Sequence, residues 1–282
     1  MTVRKFQNII LDWYKKNRRD LPWRRTQDPY KILVSEVMLQ QTQVSRVLPK
    51  YKEFLRAFPD LTSLAAAADK RLLKTWSGLG YWRRAKYLKQ AAQIIIEKYR
   101  GKFPKDPAEL ERLPGIGPYT AHAVACFAFN GKDAFLDTNI RRAYLHFFFP
   151  NKKDVSDKEI LKIAQQALLH NWSGRSNHVI SLREWHYALF DYGATVLKDK
   201  QINRRSRHYH RQSKFDGSFR SFRTKVMKFL LVSSHNRATR KAVYTFLANE
   251  IKKKNASFAP SKVIASLLKD NLIKQSATHY SL

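Results

Sequence analysis

The chain holds a single cysteine, Cys126, among its 282 residues. That excludes an intramolecular disulfide and any zinc or iron–sulfur site built from this chain's thiolates. No run of about 18 apolar residues occurs, so no membrane-spanning helix is expected. Acidic residues are scarce, with 22 Asp and Glu against 54 Lys and Arg, a formal net charge of +32. Internal repeats and low-complexity tracts are absent. The opening MTVRKFQNIILDWYKK carries charge throughout and lacks the apolar stretch of a signal peptide. A cytoplasmic protein without metal or other cofactor is therefore expected. What is present is substantial: 44% hydrophobic and 13% aromatic residues argue against a disordered basic tail. The length allows one large or two small domains. A cationic surplus of this size calls for a polyanionic partner, and nucleic acid is the commonest one.

The first two hundred residues are expected to be almost wholly α-helical. Phe6, Ile9, Ile10, Trp13 and Tyr14 recur at helical spacing. Asp28 before Pro29 forms an N-cap with proline at the first helical position, opening YKILVSEVML. Asp106 and Pro107 repeat that start, with Glu109 as a capping-box acid. Tyr87 to Tyr99 is another periodic run closed by Gly101, and Ser156 with Glu159 starts one more. Near Leu197 the composition shifts, and residues 198–282 hold 20 Lys and Arg against 4 acids. Residues 198–215, basic and without apolar periodicity, read as a linker. Beyond it, helices are predicted over about 219–231 and 239–253, then a third from Pro260, then a hairpin in LIKQSATHYSL. Three helices followed by a hairpin is the order of a winged helix, so 216–282 read as a small DNA-binding domain.

The most informative stretch is LPGIGPYTA, Leu113 to Ala121. Gly115 and Gly117 let the chain turn tightly with positive φ between two helices. The second helix, opened by Pro118, then presents its N–H groups and positive dipole end to a DNA phosphate. A plain helical hairpin is the competing reading. Glu36 sits among Ile32, Leu33, Val34, Val37 and Met38 on a helix that must be largely buried. Burial raises a carboxyl's pKa, and a general acid for a purine leaving group needs that property. Spacing alone favours a rim glutamate paired to a cation such as Arg24. Arg83, Arg84 and Lys86 open a helix where they could meet phosphate or remain solvated charges.

Four segments, in order, are LPWRRTQDPYKILVSEVMLQQTQV, GLGYWRRAKYL, LPGIGPYTA and FLDTNIRRAY. Together they resemble the adenine DNA glycosylases of the MutY type within the helix–hairpin–helix glycosylase superfamily, over residues 6–197. The resemblance implies an all-α, two-lobed catalytic domain over 1–197. It implies a monomer that acts on double-stranded DNA carrying adenine mispaired with 8-oxoguanine or guanine. Glu36 would be the acid that protonates the adenine. Asp137, also placed to cap the helix of TNIRRAY, would stabilise the oxocarbenium-like sugar, with Asn139 orienting it. Tyr119 stands where endonuclease III relatives have a Schiff-base lysine, which implies a glycosylase without strand cleavage. Extruding a base leaves a gap to fill, and Leu39, Gln41 and Tyr81 are the wedge candidates. Trp23 and Arg24 would line the adenine pocket, and Arg83 with Gly115 and Gly117 would meet the DNA backbone.

Two departures stand out. Family members end this domain with four cysteines holding a [4Fe–4S] cluster, and that register falls here on Leu197, Arg204, Arg207 and Ser213. Residues 216–282 are also too few for the Nudix-like domain with which many relatives read 8-oxoguanine, and Tyr187 stands where a polar pocket residue is expected. A thymine or uracil mismatch glycosylase and a non-catalytic binder of mismatched or bent DNA remain the rival readings.

Overall fold

The computed structural model describes residues 1–169, 180–211 and 213–282. Helices α1 (Val3–Asn17), α2 (Pro29–Leu39), α3 (Val44–Ala57), α4 (Leu61–Ala65), α5 (Asp69–Trp76) and α6 (Arg83–Tyr99) come first. They are followed by α7 (Pro107–Glu111), α8 (Pro118–Phe129), α9 (Thr138–Phe148), α10 (Asp157–Leu169) and α11 (Leu182–Thr195). A 3-10 turn over Lys200–Arg205 leads to α12 (Phe219–Val232), β1 (Arg237–Thr239), α13 (Arg240–Lys253), α14 (Pro260–Lys269), β2 (Lys274–Gln275) and β3 (His279–Ser281).

Helix starts follow their sequence signals. The Asp28 carboxylate accepts from the Tyr30 N–H at 2.9 Å, and Asp106 accepts from Ala108 N–H at 3.0 Å. Ser156 and Glu159 close a reciprocal box, with the Ser156 N–H donating to Glu159 Oε2 at 3.0 Å. Glu109 pairs with Arg112 at 2.7 Å. Helix α6 begins four residues before the expected Tyr87, and its left-handed cap is Arg100 (φ 53°), with Gly101 (φ 76°) next.

Two compact units divide the chain: 1–36 with 103–211, and 37–102 with 212–282. The first is built around aromatic packing of α1, α9 and α11, where Phe6 lies 5.1 Å from Tyr144 and 5.7 Å from Trp185. Gly193 on α11 faces α9 so closely that a Cβ there would stand 2.2 Å from the Asn139 carbonyl oxygen. Arg142, buried on α9, ties the two helices by donating to Gly193 O at 2.8 Å and Leu197 O at 3.2 Å. The first half of the segment read as a linker is packed here. Ile202, Asn203 and Ser206 are buried, and Arg205 donates to the carbonyls of Leu145 on α9 and of Phe149 just after it. A single buried apolar side chain, Ile202, is too little to produce a periodicity, which is why composition alone suggested a linker.

In the second unit, α3–α6 bury Phe54, Phe58, Trp76, Leu88 and Ile95. The C-terminal elements enclose Phe222, Val226, Leu230, Val243, Leu247, Val263 and Leu267. Their sheet runs in the order β1-β3-β2, all antiparallel, with Ala238 and Gln275 on either side of the buried Tyr280. The hairpin and three helices match the sequence pattern. Strand β1 does not: at three residues it shows no alternation, and its partner lies forty positions along the chain.

Candidate active site

Helix α2 is apolar nearly all round, with Ile32, Leu33, Val34, Val37 and Met38 at 4% exposure or less. Glu36 belongs to that buried set, at 5% exposure. Its partner is Tyr119, whose hydroxyl donates to Glu36 Oε2 at 2.9 Å. Burial pushes the Glu36 carboxyl up to about 7, and the Asp137 charge adds to the rise. The Tyr119 hydrogen bond and the Arg24 charge pull the other way without reversing it. Glu36 therefore changes protonation in the neutral range. Burial also pushes the Tyr119 hydroxyl well above its ordinary value, so it remains a neutral donor.

Asp137 is the N-cap of α9, as the sequence suggests. One oxygen accepts from the Asn139 and Ile140 N–H groups at 2.9 and 2.6 Å, and the other from Asn139 Nδ2 at 2.8 Å. These donors favour the ionised carboxylate, yet burial outweighs them and the group titrates above the usual aspartate value. The cap's donors limit a rise that desolvation sets.

The hairpin between α7 and α8 is pinned by the buried Leu113 and Ile116. Gly115 takes the left-handed conformation (φ 74°), whereas Gly117 is extended (φ −96°, ψ 178°) and serves as the N-cap of α8. Only one of the two glycines turns with positive φ. The other matters because no side chain caps α8, and a Cβ at Gly117 would point into open space.

Arg24 does not pair with Glu36. Its guanidinium forks onto the wholly buried Asp191, with both nitrogens at 2.8 Å, and lies 4.5 Å over the Tyr187 ring. Trp23, at 4% exposure, is part of the core. Tyr187 packs on Phe127 at 4.6 Å and receives Arg183 Nε at 3.2 Å. Cys126 is buried, and its thiol is pushed up to about 12 by desolvation. His178 lies outside the described residues. Buried His186 is pushed down to about 4 and stacks on Phe135 at 4.1 Å.

The other site candidates belong to the second unit. Leu39 is half-buried at the end of α2, and Gln41 is exposed with φ 53°. Tyr81 also has a positive φ, 46°. Arg83 pairs with Asp270 at 3.1 Å. Sequence reasoning passed over Arg84, taking it for a phosphate contact or a solvated charge. It is buried and donates to the Val37, Met38 and Gln40 carbonyls at 2.8, 2.9 and 2.6 Å. It also donates to Leu79 O, Gly80 O and Thr42 Oγ1 at 3.0–3.2 Å. One guanidinium thus fastens both loops that carry the wedge candidates. The available signal was an arginine on the apolar face marked by Ala85, Leu88 and Ala92.

Residues in the cluster register do not fit an iron–sulfur group. Leu197 is a buried apolar side chain, Arg207 forks onto Asp154, and the sequence offers no thiol besides Cys126. Among the described residues no group of three or more His, Cys, Asp or Glu could hold a metal ion. No described helix is long and apolar enough to cross a membrane.

This is the mostly helical fold of the HhH-GPD superfamily, and residues 34–169 match that family's base excision DNA repair proteins. Among the chain's relatives is the adenine DNA glycosylase of Buchnera aphidicola subsp. Baizongia pistaciae, 36% identical over 197 residues, 70% of this chain and 54% of that protein. The adenine DNA glycosylase of Mycolicibacterium smegmatis is 48% identical over 134 residues, 47% of this chain and 46% of that one. The chain thus spans about half the length of the curated relatives it matches. A thermostable thymine-DNA glycosylase of known structure superposes with a TM-score of 0.60 at 28% identity, over 70% of this chain and 88% of its own. An endonuclease III trapped as a covalent intermediate on DNA shares the fold, with a TM-score of 0.53 at 21% identity.

Proposed function

We propose that the protein is a monofunctional adenine DNA glycosylase, hydrolysing the N-glycosidic bond of adenine mispaired with 8-oxoguanine or guanine. The observation that carries this reading is the buried Glu36, with its carboxyl near 7 and a tyrosine hydroxyl 2.9 Å away. Protonated Glu36 donates its proton to a ring nitrogen of the adenine. The base then takes the bonding electrons as the bond to the sugar breaks. Asp137, held by three N–H donors, faces the cationic sugar and stabilises it or bonds to it transiently. Water supplies the hydroxyl of the abasic product and returns a proton to the site. Tyr119 has no amine for a Schiff base, so the strand stays intact. Leu39, Gln41 and Tyr81 fill the gap left by the extruded base, while Trp23 and Arg24 shape the base pocket. The hairpin at Gly115 and Gly117 holds a phosphate. The C-terminal elements act as a winged helix on DNA, and the protein works as a cytoplasmic monomer without an iron–sulfur cluster.

The test is incubation with duplexes pairing adenine against 8-oxoguanine, guanine or thymine, with and without alkali. Strand breaks at the adenine that need alkali and vanish in Glu36→Gln and Asp137→Asn support the proposal. The likeness to a thymine-DNA glycosylase favours one rival, so thymine and uracil opposite guanine belong on the panel. Excision confined to those pyrimidines would replace the present reading, and mismatch binding with no excision would leave only a DNA binder.

A further inference from the structure

The loop from Gly78 to Trp82 takes left-handed backbone conformations at Gly78 (φ 98°), Gly80 (φ 70°) and Tyr81 (φ 46°). Two sets of contacts hold it. Trp76 Nε1 and Arg84 donate to Gly80 O at 3.1 and 3.2 Å, and the Arg84 guanidinium carbon lies 5.3 Å from the Tyr81 ring centroid. The second set comes from the C-terminal elements. Arg220, in the first turn of α12, donates to the Tyr81 hydroxyl oxygen, with its guanidinium carbon 5.5 Å from the ring centroid. Its other nitrogen donates to Ser213 O at 2.9 Å. Asp270, at the end of α14, adds a further tie by accepting Arg83 at 3.1 Å and Arg223 at 2.5 Å.

We propose that Arg220 is a positioning residue: it fixes the Tyr81 ring for entry into the base stack, and so makes mispair recognition depend on the C-terminal elements. This rests on the reading of Tyr81 as a wedge given above. A tyrosine on an αL turn gains little orientation from its own backbone. A guanidinium that meets both its ring and its hydroxyl selects one orientation before DNA arrives. Binding then spends less free energy on ordering the side chain. The planar fork suits this better than an ammonium would, because it can bond the hydroxyl, face the ring and hold Ser213 together.

The experiment uses the full chain with one duplex carrying adenine opposite 8-oxoguanine and its undamaged counterpart. Arg220→Ala should lower the ratio of mispair to undamaged affinity about tenfold. Tyr81→Phe should lower it in the same direction. The double variant should lose no more than the worse single one, because both remove one contact. Arg220→Lys keeps the charge but should not restore the ratio. If Arg220 only meets phosphate, Arg220→Ala will weaken both duplexes equally and reduce the salt slope by about one, which would overturn the proposal. Should Arg220→Ala fail to fold, an unchanged ratio in Tyr81→Phe would overturn it as well. An inert Tyr81→Ala would sink the wedge reading itself, whereas an active Tyr81→Ala beside an inert Arg220→Ala would sink only the present inference.

Discussion

Glu36 shows how burial converts an ordinary side chain into an acid useful near neutral pH. With its carboxyl near 7, single-turnover excision should fall as pH rises through about 7, because only the protonated form can donate. Glu36→Gln should remove that pH dependence and lower the rate by roughly 10²–10⁴-fold. The same shift bears on stability. The folded state holds a proton that the unfolded chain, with its ordinary value of 4.5, has already released. The group therefore imposes no penalty below about pH 4.5, and its cost grows until pH passes about 7. Glu36→Gln should accordingly melt above the wild type at pH 8, by about 1–3 kcal/mol of stability, with the two converging at pH 5. Equal melting shifts at both pH values would mean that Glu36 is not buried in its charged form. The sequence pointed to this residue through its family resemblance, because spacing alone also allows a rim glutamate paired to a cation. Tyr119, 83 positions away, could not be identified as its partner from spacing.

Between elements, close approach and buried guanidinium groups place the catalytic candidates. Gly193 lets α11 lie against the Asn139 backbone, directly beside the cap that holds Asp137. Gly193→Ala forces the two helices apart. It should cost about 1–3 kcal/mol in denaturant unfolding and slow excision without a matching loss of DNA affinity. A stable, fully active variant would show that the contact does not position Asp137. Arg84 offers a second test, since its removal would orphan carbonyls on two loops. Arg84→Met, of similar length but uncharged, should destabilise by about 1–3 kcal/mol, and a melting temperature within two degrees of wild type would contradict that. The helices themselves were legible from N-cap residues and apolar spacing. These ties were not, because an arginine's side chain gives no sign of which carbonyls it will meet.

For the whole molecule the decisive quantity is charge. On the proposed function, a surplus of +32 would supply sequence-independent attraction to DNA, so affinity for any duplex should fall linearly in log–log terms as salt rises. If 6–10 phosphates are contacted, the loss between 50 and 200 mM salt should be about 10³–10⁵-fold. A titration of fluorescent duplex by anisotropy would measure it, and a flat salt dependence would contradict a basic DNA-binding surface. Discrimination between mispaired and undamaged DNA should survive better than affinity, because stacking and pocket contacts release few counterions.

By itself the sequence determined the helical class, most helix starts, the basic character and the identities of the candidate acid, cap and hairpin. The class, the helix starts, the cap, the hairpin and the charge follow from local chemistry: apolar periodicity, capping residues, glycine and proline placement, and net charge. The acid was singled out by the family resemblance. Tertiary structure alone decided that Tyr119 meets Glu36, that Arg24 belongs to Asp191 and that Arg84 staples two loops. It also gave β1 its partner and packed Ile202 of the basic segment into the core. The reason is physical. Burial and long-range hydrogen bonds depend on which distant residues the chain brings together, and both the pKa of Glu36 and the surroundings of Tyr81 depend on that assembly.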